Sequence, residues 1–315
     1  MKFKKPKFWD LKKRNFISYI LLPFTIPILI NNFLLRRKNN KILKEITTIC
    51  VGNIYIGGTG KTPTSIRLYN VLKNLNHKVS IGKKLYQSQI DEKILLEDKS
   101  KLISSNDRKE IIKKAIQNNM DFLIFDDGLQ DKKVSYDVKI VCFDQKWIGN
   151  GNLIPAGPLR EKISSLKKYD IAILKEIDLI EDEVEYLIKK NNPKMKIFKS
   201  NFEATNLDEF DLSKNYLFFS GIGNPENFKK TLVRNNFKIV EEIIFPDHYS
   251  YKEKDLVKIK NHAKKIDAKI VTTEKDYVKI RLIDDQEINF LEVELKIKNE
   301  KELINYLKDK KNEKY

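Results

Sequence analysis

From residue 46 onward, short apolar runs alternate with amphipathic segments. The runs are rich in β-branched residues and predict buried strands, whereas the segments that begin at Lys61 and Asp107 have the three-to-four-residue spacing of helices. Such alternation is typical of a parallel sheet with helices on its faces. We therefore expect an α/β domain over residues 46–200, with strands in ITTICVGN, KVSIG, MDFLIFDD, VKIVCFD and YDIAILK.

A polar stretch at residues 191–215 interrupts the alternation, which then resumes. The runs YLFFSGIG, FKIVEEIIF, AKIVTTEKD and INFLEVEL predict further strands, with helices from about residue 225, from about residue 252 and at the C-terminus. A second, smaller α/β domain is therefore predicted over residues 201–315.

Residues 1–45 have a different pattern, in which an apolar segment at 16–35 lies between two basic clusters. The segment is just long enough to span a bilayer, but its two prolines and two asparagines disfavour a continuous span. The basic flanks favour a monotopic helix on an anionic membrane surface, with Trp9 and Tyr19 near the interface. The alternatives are a single spanning N-terminal helix and a helix buried in the protein core.

Charge and cysteine content change this picture little. Lys and Arg number 61 against 44 Asp and Glu, which gives a net charge of +17. This surplus suits an anionic partner, such as nucleic acid, an acidic membrane or a phosphorylated substrate, but it also fits a chain generally rich in Lys, Asn and Ile. Cys50 and Cys142 lie in apolar runs without metal-binding spacing, so we expect buried, reduced thiols and no zinc site.

A glycine-rich sequence, YIGGTGKT, joins the first predicted strand to the first predicted helix. Gly60, Lys61 and Thr62 match the second half of the phosphate-binding loop consensus, while Tyr55 replaces its first glycine. In such loops backbone N–H groups turn toward phosphate, Lys61 would neutralise the β- and γ-phosphates, and Thr62 would offer its hydroxyl to Mg²⁺. The alternative is an ordinary glycine-rich turn. The predicted nucleotide-binding residues are Tyr55, Ile56, Gly57, Gly58, Thr59, Gly60, Lys61 and Thr62.

Two carboxylates, Asp126 and Asp127, end the predicted strand FLIFDD. In a parallel sheet this strand end lies at the same edge as the phosphate-binding loop, where P-loop enzymes hold Mg²⁺. The alternative is a structural turn, since DDG also favours turns. A loop rich in glycine and proline, GNGNLIPAGPLRE, adds Arg160 and Glu161 as candidates for contact with phosphate or metal.

Six motifs occur together along the chain: VGNIYIGGTGKTP, DDGLQ, GNGNLIPAGPLRE, GIGNP, PDHY and TEKD. In their order and rough spacing the chain resembles the tetraacyldisaccharide 4′-kinases of lipid A biosynthesis over nearly its whole length. The resemblance implies transfer of the γ-phosphoryl group of ATP, with Mg²⁺, to the 4′-hydroxyl of a tetraacylated glucosamine disaccharide 1-phosphate. It implies a P-loop NTPase-like fold and a location at the cytoplasmic face of the bacterial inner membrane.

The resemblance also assigns roles to residues outside the phosphate-binding loop. The family carries an Asp-Glu pair within GDEP, and the best counterpart here is Asp91 and Glu92 in IDEK, without the flanking Gly and Pro. Asp91 would accept the proton of the sugar hydroxyl, and Glu92 would bind the metal. His248 in FPDHY would pair with Asp91. With Lys61 these complete the predicted catalytic residues, and the predicted metal ligands are Thr62, Glu92, Asp126, Asp127 and Glu161.

The expected partners are the acylated disaccharide 1-phosphate lipid and an anionic membrane surface, and we expect the protein to be a monomer.

The main alternative is a membrane-associated P-loop ATPase or GTPase that acts as a switch. A GTPase should carry a base-reading N-K-x-D sequence, and TEKD at 273–276 lacks the leading Asn. A nucleic-acid-binding protein is disfavoured, because the chain has no recognisable reading motif.

Overall fold

In a computed structural model of the chain, the described residues are 6–34, 45–86, 90–131, 133–143, 148–176, 183–281, 283 and 286–314, with the backbone alone at 31–34. They fall into two compact units. The larger unit comprises residues 5–85, 100–201 and 297–315, and the smaller unit comprises residues 86–99 and 202–296.

The secondary structure follows the alternation that the sequence predicts. The strands are β1 Thr47–Gly52, β2 Val79–Lys84, β3 Leu102–Ser105, β4 Phe122–Asp126, β5 Val138–Phe143, β6 Ile171–Lys175, β7 Lys196–Ala204, β8 Asn215–Ser220, β9 Lys238–Ile244, β10 Ala268–Thr273, β11 Ile288–Leu291 and β12 Val293–Ile297. The α-helices are α1 Phe16–Leu21, α2 Ile26–Leu34, α3 Lys61–Asn74, α4 Ile90–Lys99, α5 Arg108–Gln117, α6 Glu183–Asn191, α7 Pro225–Arg234, α8 Glu253–Lys265, α9 Glu274–Ile280 and α10 Glu300–Asn312.

An eight-stranded sheet has the order β12-β7-β6-β5-β1-β4-β2-β3. From β7 to β3, each pair of neighbours runs parallel. All six residues of β1 are buried, as are all five of β4, because a parallel sheet with both faces covered encloses its central strands. Burial on both faces explains why the sequences of these strands are continuously apolar. Cys50 and Cys142 lie in this sheet as free, buried thiols, as predicted.

The smaller unit contains a four-stranded parallel sheet with the order β11-β10-β8-β9. Five of the six residues of β8 are buried, in keeping with its apolar run. The edge strand β9 instead alternates between exposed and half-buried residues. The predicted second α/β region is therefore present.

The sequence prediction was wrong about the polar stretch at residues 191–215, because it contains strand β7. Phe198 and Ser200 are buried along β7, but most of its other side chains are only half-buried. A strand with so few buried positions lacks the apolar run by which the central strands were recognised. The stretch therefore carries a sheet strand rather than only a linker.

The structural division also differs from the predicted boundaries of 46–200 and 201–315. Residues 86–99 belong to the smaller unit, where Lys99 at the end of α4 forms ion pairs with Glu274, at 2.7 Å, and with Glu292. Residues 297–315 belong to the larger unit, where Arg67 Nε lies 2.6 Å from Glu300 Oε1. Local sequence patterns do not encode such long-range pairs.

The N-terminal apolar segment forms the short helices α1 and α2, separated by a 3₁₀ turn at Leu22–Thr25. Among the described residues, no helix has both the length and the apolar character needed to cross a membrane. Ile28 and Leu29 pack against the core of the larger unit, whereas Phe16 is 78% exposed. The basic residues at 1–5 and 36–41 lie outside the described residues.

The expectation that Trp9 lies near a membrane interface was wrong. Its side chain is only 1% exposed. Its indole Nε1 donates to the Pro155 carbonyl at 2.9 Å, and its own carbonyl accepts from the Asn150 N–H at 3.0 Å. The loop with the PAGPLRE motif therefore encloses Trp9, while Tyr19 is 56% exposed and its interfacial position stays a prediction.

We predict that Trp9→Ala lowers the free energy of unfolding of the larger unit by about 3 kcal/mol, because it leaves a large cavity and an unpaired carbonyl. Phe16→Ala, which removes a largely exposed aromatic ring, should change the stability by less than about 0.5 kcal/mol. Urea denaturation followed by circular dichroism measures both. Equal decreases in the free energy of unfolding for the two variants would contradict the burial of Trp9.

Candidate active site

The phosphate-binding loop joins β1 to α3 in the larger unit. Gly57 and Gly60 have φ angles of +146° and +74°, which residues with side chains rarely adopt. Gly60 precedes the first turn of α3, and no side chain caps that end of the helix. Asn53 braces the loop by donating its amide N–H to Thr59 Oγ1 at 3.1 Å. Backbone N–H groups at an uncapped helix start form an anion-binding arrangement.

Tyr55 has a structural reason to replace the first consensus glycine. Its side chain is 1% exposed and stacks on Phe143, with 6.1 Å between the ring centroids. Its backbone forms an isolated bridge with Leu159, and the next residue, Ile56, donates its N–H to the Pro158 carbonyl at 2.8 Å. The ring therefore anchors the loop to the core, and the buried residue is not placed to contact a nucleotide through its side chain.

Thr62 and Asp126 place two side-chain oxygens close together beside the loop. Thr62 Oγ1 donates to Asp126 Oδ2 at 3.1 Å, and Ser65 Oγ donates to Asp126 Oδ1 at 3.3 Å. Asp126 ends β4, which pairs in parallel with β1, so the carboxylate lies at the sheet edge where the loop begins. Mg²⁺ prefers hard oxygen ligands and usually takes only one or two from protein beside a nucleotide. These residues therefore fit a magnesium ion.

Lys83 is a functional candidate that the sequence analysis did not identify. Its ammonium lies 2.7 Å from Asp126 Oδ2, and both side chains are almost fully buried. Lys83 lies near the carboxyl end of β2, the strand next to β4. A buried carboxylate requires a compensating cation, and Lys83 supplies it. The signal in the sequence is a lysine that directly follows the buried run VSIG.

Asp127 is bound to Arg160 from the loop with the PAGPLRE motif. Arg160 Nη1 donates to Asp127 Oδ1 and to Asn53 Oδ1, each at 2.9 Å. Burial raises the pKa of Asp127, but the charges on Lys61 and Arg160 outweigh it, so the pKa lies below its usual value. Arg160 thus connects two segments that border the phosphate-binding loop. Its contact with phosphate or metal stays a prediction, as does metal binding by Asp127.

Glu161 is already engaged by neighbouring side chains. It is 2% exposed, accepts hydrogen bonds from Tyr169 Oη at 2.8 Å and Gln130 Nε2 at 3.1 Å, and lies 3.3 Å from Lys168 Nζ. Across the described ranges, no group of three or more His, Cys, Asp or Glu side chains is gathered as a metal site. The predicted carboxylate ligands therefore do not form one cluster, because each is paired with other partners. A metal role for Glu161 stays a prediction.

In the smaller unit, Asp91 and His248 are in contact although 157 positions separate them in sequence. Asp91 lies in the first turn of α4 and is 3% exposed, and His248 lies in the loop between β9 and α8. His248 Nδ1 is 2.9 Å from each carboxylate oxygen of Asp91. The structure thus brings the two predicted residues together. Both belong to one unit, because residues 86–99 group with residues 202–296.

The surroundings keep Asp91 ionised. Burial raises its pKa, but the hydrogen bond with His248 and the charge on Lys275 outweigh this effect and hold the pKa well below its usual range. His248 has a φ angle of +56°, a left-handed conformation that is costly for residues with side chains and concentrates at functional sites. An ionised carboxylate oriented by an imidazole can accept a hydrogen bond from a hydroxyl group and hold it in place; its low pKa makes it a weak base, so its main contribution is orientation.

Lys275 is a second residue that the sequence analysis did not assign to the site. Its ammonium lies 3.5 Å from Glu92 Oε1 and 3.6 Å from Asp91 Oδ2. Its motif, TEKD, is one of the six motifs that carry the family resemblance and was weighed as a possible base-reading sequence, but Lys275 itself received no role. The available signal was the position of this charged motif directly after the apolar strand AKIVTT, at a strand end where parallel sheets carry ligand sites.

One solved structure shares the fold. The crystal structure of an "apo" form of LpxK from Aquifex aeolicus in complex with ATP matches with a TM-score of 0.67 and 24% sequence identity. The match covers 92% of this chain and 99% of that chain. This likeness supports the mostly parallel α/β architecture.

Curated relatives share the sequence over nearly its full length. A tetraacyldisaccharide 4′-kinase of Pelagibacter ubique is 45% identical over 309 residues, which cover 98% of this chain and 98% of the relative. A tetraacyldisaccharide 4′-kinase of Rickettsia bellii is 35% identical over 318 residues, which cover 93% of this chain and 94% of the relative.

The family model described as LpxK, tetraacyldisaccharide-1-P 4′-kinase, matches residues 21–312. This span includes the phosphate-binding loop, Asp126, Asp91 and His248. The chain therefore belongs to the LpxK family, the ATP-dependent tetraacyldisaccharide-1-phosphate 4′-kinases of lipid A biosynthesis.

Proposed function

We propose that this kinase transfers the γ-phosphoryl group of ATP to the 4′-hydroxyl of a tetraacylated glucosamine disaccharide 1-phosphate, with Asp91 as the proton acceptor. Family membership supports the reaction. The observation that carries the assignment of the base is the contact between the buried Asp91 carboxylate and His248 at 2.9 Å. A nucleotide switch is not favoured, because it does not need an oriented base for an acceptor hydroxyl.

The larger unit supplies the groups that bind ATP. Phosphoryl transfer depends on positioning and charge neutralisation more than on covalent chemistry. Backbone N–H groups at the start of α3 would hold the phosphate oxygens, and Lys61 would neutralise the charge that develops on them. Thr62 and Asp126 would hold Mg²⁺, which neutralises the β- and γ-phosphates when bound. The hydrogen bond between these two side chains keeps both oxygens on one side of the loop.

The smaller unit supplies the group that activates the acceptor. The ionised Asp91 carboxylate would take the proton from the 4′-hydroxyl as that oxygen bonds to the γ-phosphorus, while the bond from the γ-phosphorus to the β–γ bridging oxygen breaks and ADP leaves. His248 donates to the carboxylate through Nδ1 and so fixes its orientation. Glu92, the next residue, stays a proposed metal ligand on the basis of the family resemblance. Because the larger unit binds ATP and the smaller unit activates the acceptor in this proposal, substitutions of Asp91 should lower the rate of phosphoryl transfer without changing ATP affinity.

We also propose that the N-terminal helices bind the anionic cytoplasmic face of the bacterial inner membrane, where an acylated acceptor resides. Phe16, Phe24 and Ile20 are 78%, 64% and 53% exposed, so α1 and the following turn present large apolar side chains to their surroundings. The exposed basic run at 12–14 lies directly before them. Apolar side chains beside Lys and Arg suit a helix that lies in the interface of an anionic membrane.

Lys61→Met should reduce transfer of labelled phosphate from ATP to the lipid acceptor by at least about a hundredfold, because it removes a charge that stabilises the transition state. Lys73→Met, an exposed change in the same helix, should leave transfer unchanged. Circular dichroism checks that both variants fold. Near-normal transfer by Lys61→Met at saturating ATP would contradict the role of the loop.

Asp91→Ala and His248→Ala should each lower kcat strongly with little change in ATP affinity, because the pair acts on the acceptor. Since the two residues act as a unit, the double variant should lose far less than the product of the single losses. Steady-state kinetics with the lipid acceptor measures this. His262→Ala, whose side chain is 43% exposed, is the matched control. If the fold reduction in kcat of the double variant equals the product of the two single reductions, the two residues act independently.

Replacing both Phe16 and Phe24 with Ser should weaken binding to anionic vesicles by about tenfold or more, since each ring contributes buried apolar area at the membrane. Tyr186→Ser alters an aromatic side chain that is 65% exposed on α6 and should not change binding. Vesicle sedimentation measures the partition. Unchanged binding of the double Phe variant would place the membrane surface elsewhere.

A further inference from the structure

Three carboxylates in the smaller unit share one ammonium group. Lys275 Nζ lies 3.5 Å from Glu92 Oε1 and 3.6 Å from both Asp91 Oδ2 and Asp247 Oδ1. Asp91 and Glu92 come from α4, Asp247 precedes His248, and Lys275 lies in the first turn of α9. One side chain thus connects three segments that are far apart in sequence.

Electrostatics explains why the cluster needs this lysine. Carboxylates within a few ångströms of one another repel, and burial strengthens the repulsion. Burial lowers the pKa of Lys275, but the charges on Glu92, Asp247 and Asp91 outweigh it, so the pKa lies above its usual value and the ammonium stays charged. Its side chain is 21% exposed, so it lies at the margin of the cluster rather than in the core.

The two oxygens of Asp91 share one partner, His248, and each also has a second one. Oδ1 accepts a hydrogen bond from the Glu92 N–H at 2.9 Å, whereas Oδ2 faces Lys275. His248 Nδ1 is 2.9 Å from both oxygens. Removing the ammonium would leave Lys279, at 3.9 Å, as the nearest lysine to Oδ2, and would take away the cation that Asp91 shares with Glu92 and Asp247. The orientation of Asp91 therefore depends on Lys275 as well as on His248.

Lys279, one helical turn further along α9, has a different environment. Its ammonium lies 2.8 Å from Asp276 Oδ1 and 3.9 Å from Asp91 Oδ2. Asp276 is fully buried and accepts hydrogen bonds from the Gly221 N–H at 2.9 Å and from Thr273 Oγ1 at 2.8 Å. Lys279 thus belongs mainly to a buried network that fastens α9 to the sheet, and it offers a close comparison for Lys275.

We propose that Lys275 is a positioning residue for the kinase reaction, whose ammonium holds the carboxylates of Asp91 and Glu92 in their working arrangement without contacting either substrate. This inference rests on the proposed function, in which Asp91 accepts the acceptor's proton. It assigns to the TEKD motif a role in the chemistry rather than in reading a nucleotide base.

The test compares variants of full-length protein in the lipid-acceptor assay. Lys275→Met should lower kcat by about a hundredfold with unchanged KM for ATP, because a displaced catalytic group is costly. Lys275→Arg, which keeps the charge, should recover most of the rate. Lys279→Met should reduce thermal stability more than Lys275→Met does. Lys264→Met, an exposed change in the same unit, should behave like the wild type.

Combination with Asp91→Ala separates positioning from a general structural effect. If Lys275 acts through Asp91, the double variant Asp91→Ala/Lys275→Met should be no slower than Asp91→Ala alone. The proposal is overturned if the reductions in kcat of the two single variants multiply in the double variant. An unchanged rate in Lys275→Met, or no recovery of the rate in Lys275→Arg, would also overturn it. Absence of acceptor phosphorylation by the wild type would instead refute the proposed function.

A crystal structure of Lys275→Met gives a readout that does not depend on activity. We expect the Glu92 carboxylate to turn away from Asp91, and the contact between Asp91 and His248 to lengthen beyond hydrogen-bonding distance. If all three side chains keep their positions in the variant, Lys275 does not position them and the proposal is wrong.

Discussion

A buried carboxylate must have a compensating partner, and this requirement shapes both units of the protein. Asp126 is 1% exposed and is bound by Lys83, Thr62 and Ser65, while Asp91 is 3% exposed and is bound by His248. Leaving such a charge unpaired costs about 3–5 kcal/mol. The partners come from distant parts of the chain, so the same contacts that stabilise each charge also fix the segments that carry the candidate active-site residues.

These requirements also explain how much the sequence alone could predict. The central strands β1 and β4 were recognisable because a parallel sheet buries both of their faces, and the loop before α3 carried its own glycine pattern. Strand β7 was missed because few of its positions are buried. The place of residues 86–99 in the smaller unit was missed for another reason. It depends on contacts with distant parts of the chain, such as the ion pair between Lys99 and Glu274, which no local pattern records.

The candidate site was predictable where a motif carries its chemistry within a few residues. Lys61, Thr62 and Asp126 are of this kind, whereas Lys83 and Lys275 gain their importance only from the carboxylates that they meet in the fold. Tyr55 shows the opposite case. It was counted with the nucleotide-binding loop by position, but its ring packs on Phe143 in the core. The position of a residue in the motif therefore does not show that its side chain faces the candidate phosphate site.

We propose that the oriented Asp91 carboxylate directs the γ-phosphoryl group to a sugar hydroxyl and not to water. The most direct measurement is phosphorus–proton correlation NMR on the product formed from ATP and a tetraacylated disaccharide 1-phosphate. We expect a new phosphomonoester coupled to the proton on the 4′ carbon, in an amount that matches the ADP formed. Release of inorganic phosphate alone, or a phosphate on another hydroxyl, would contradict it.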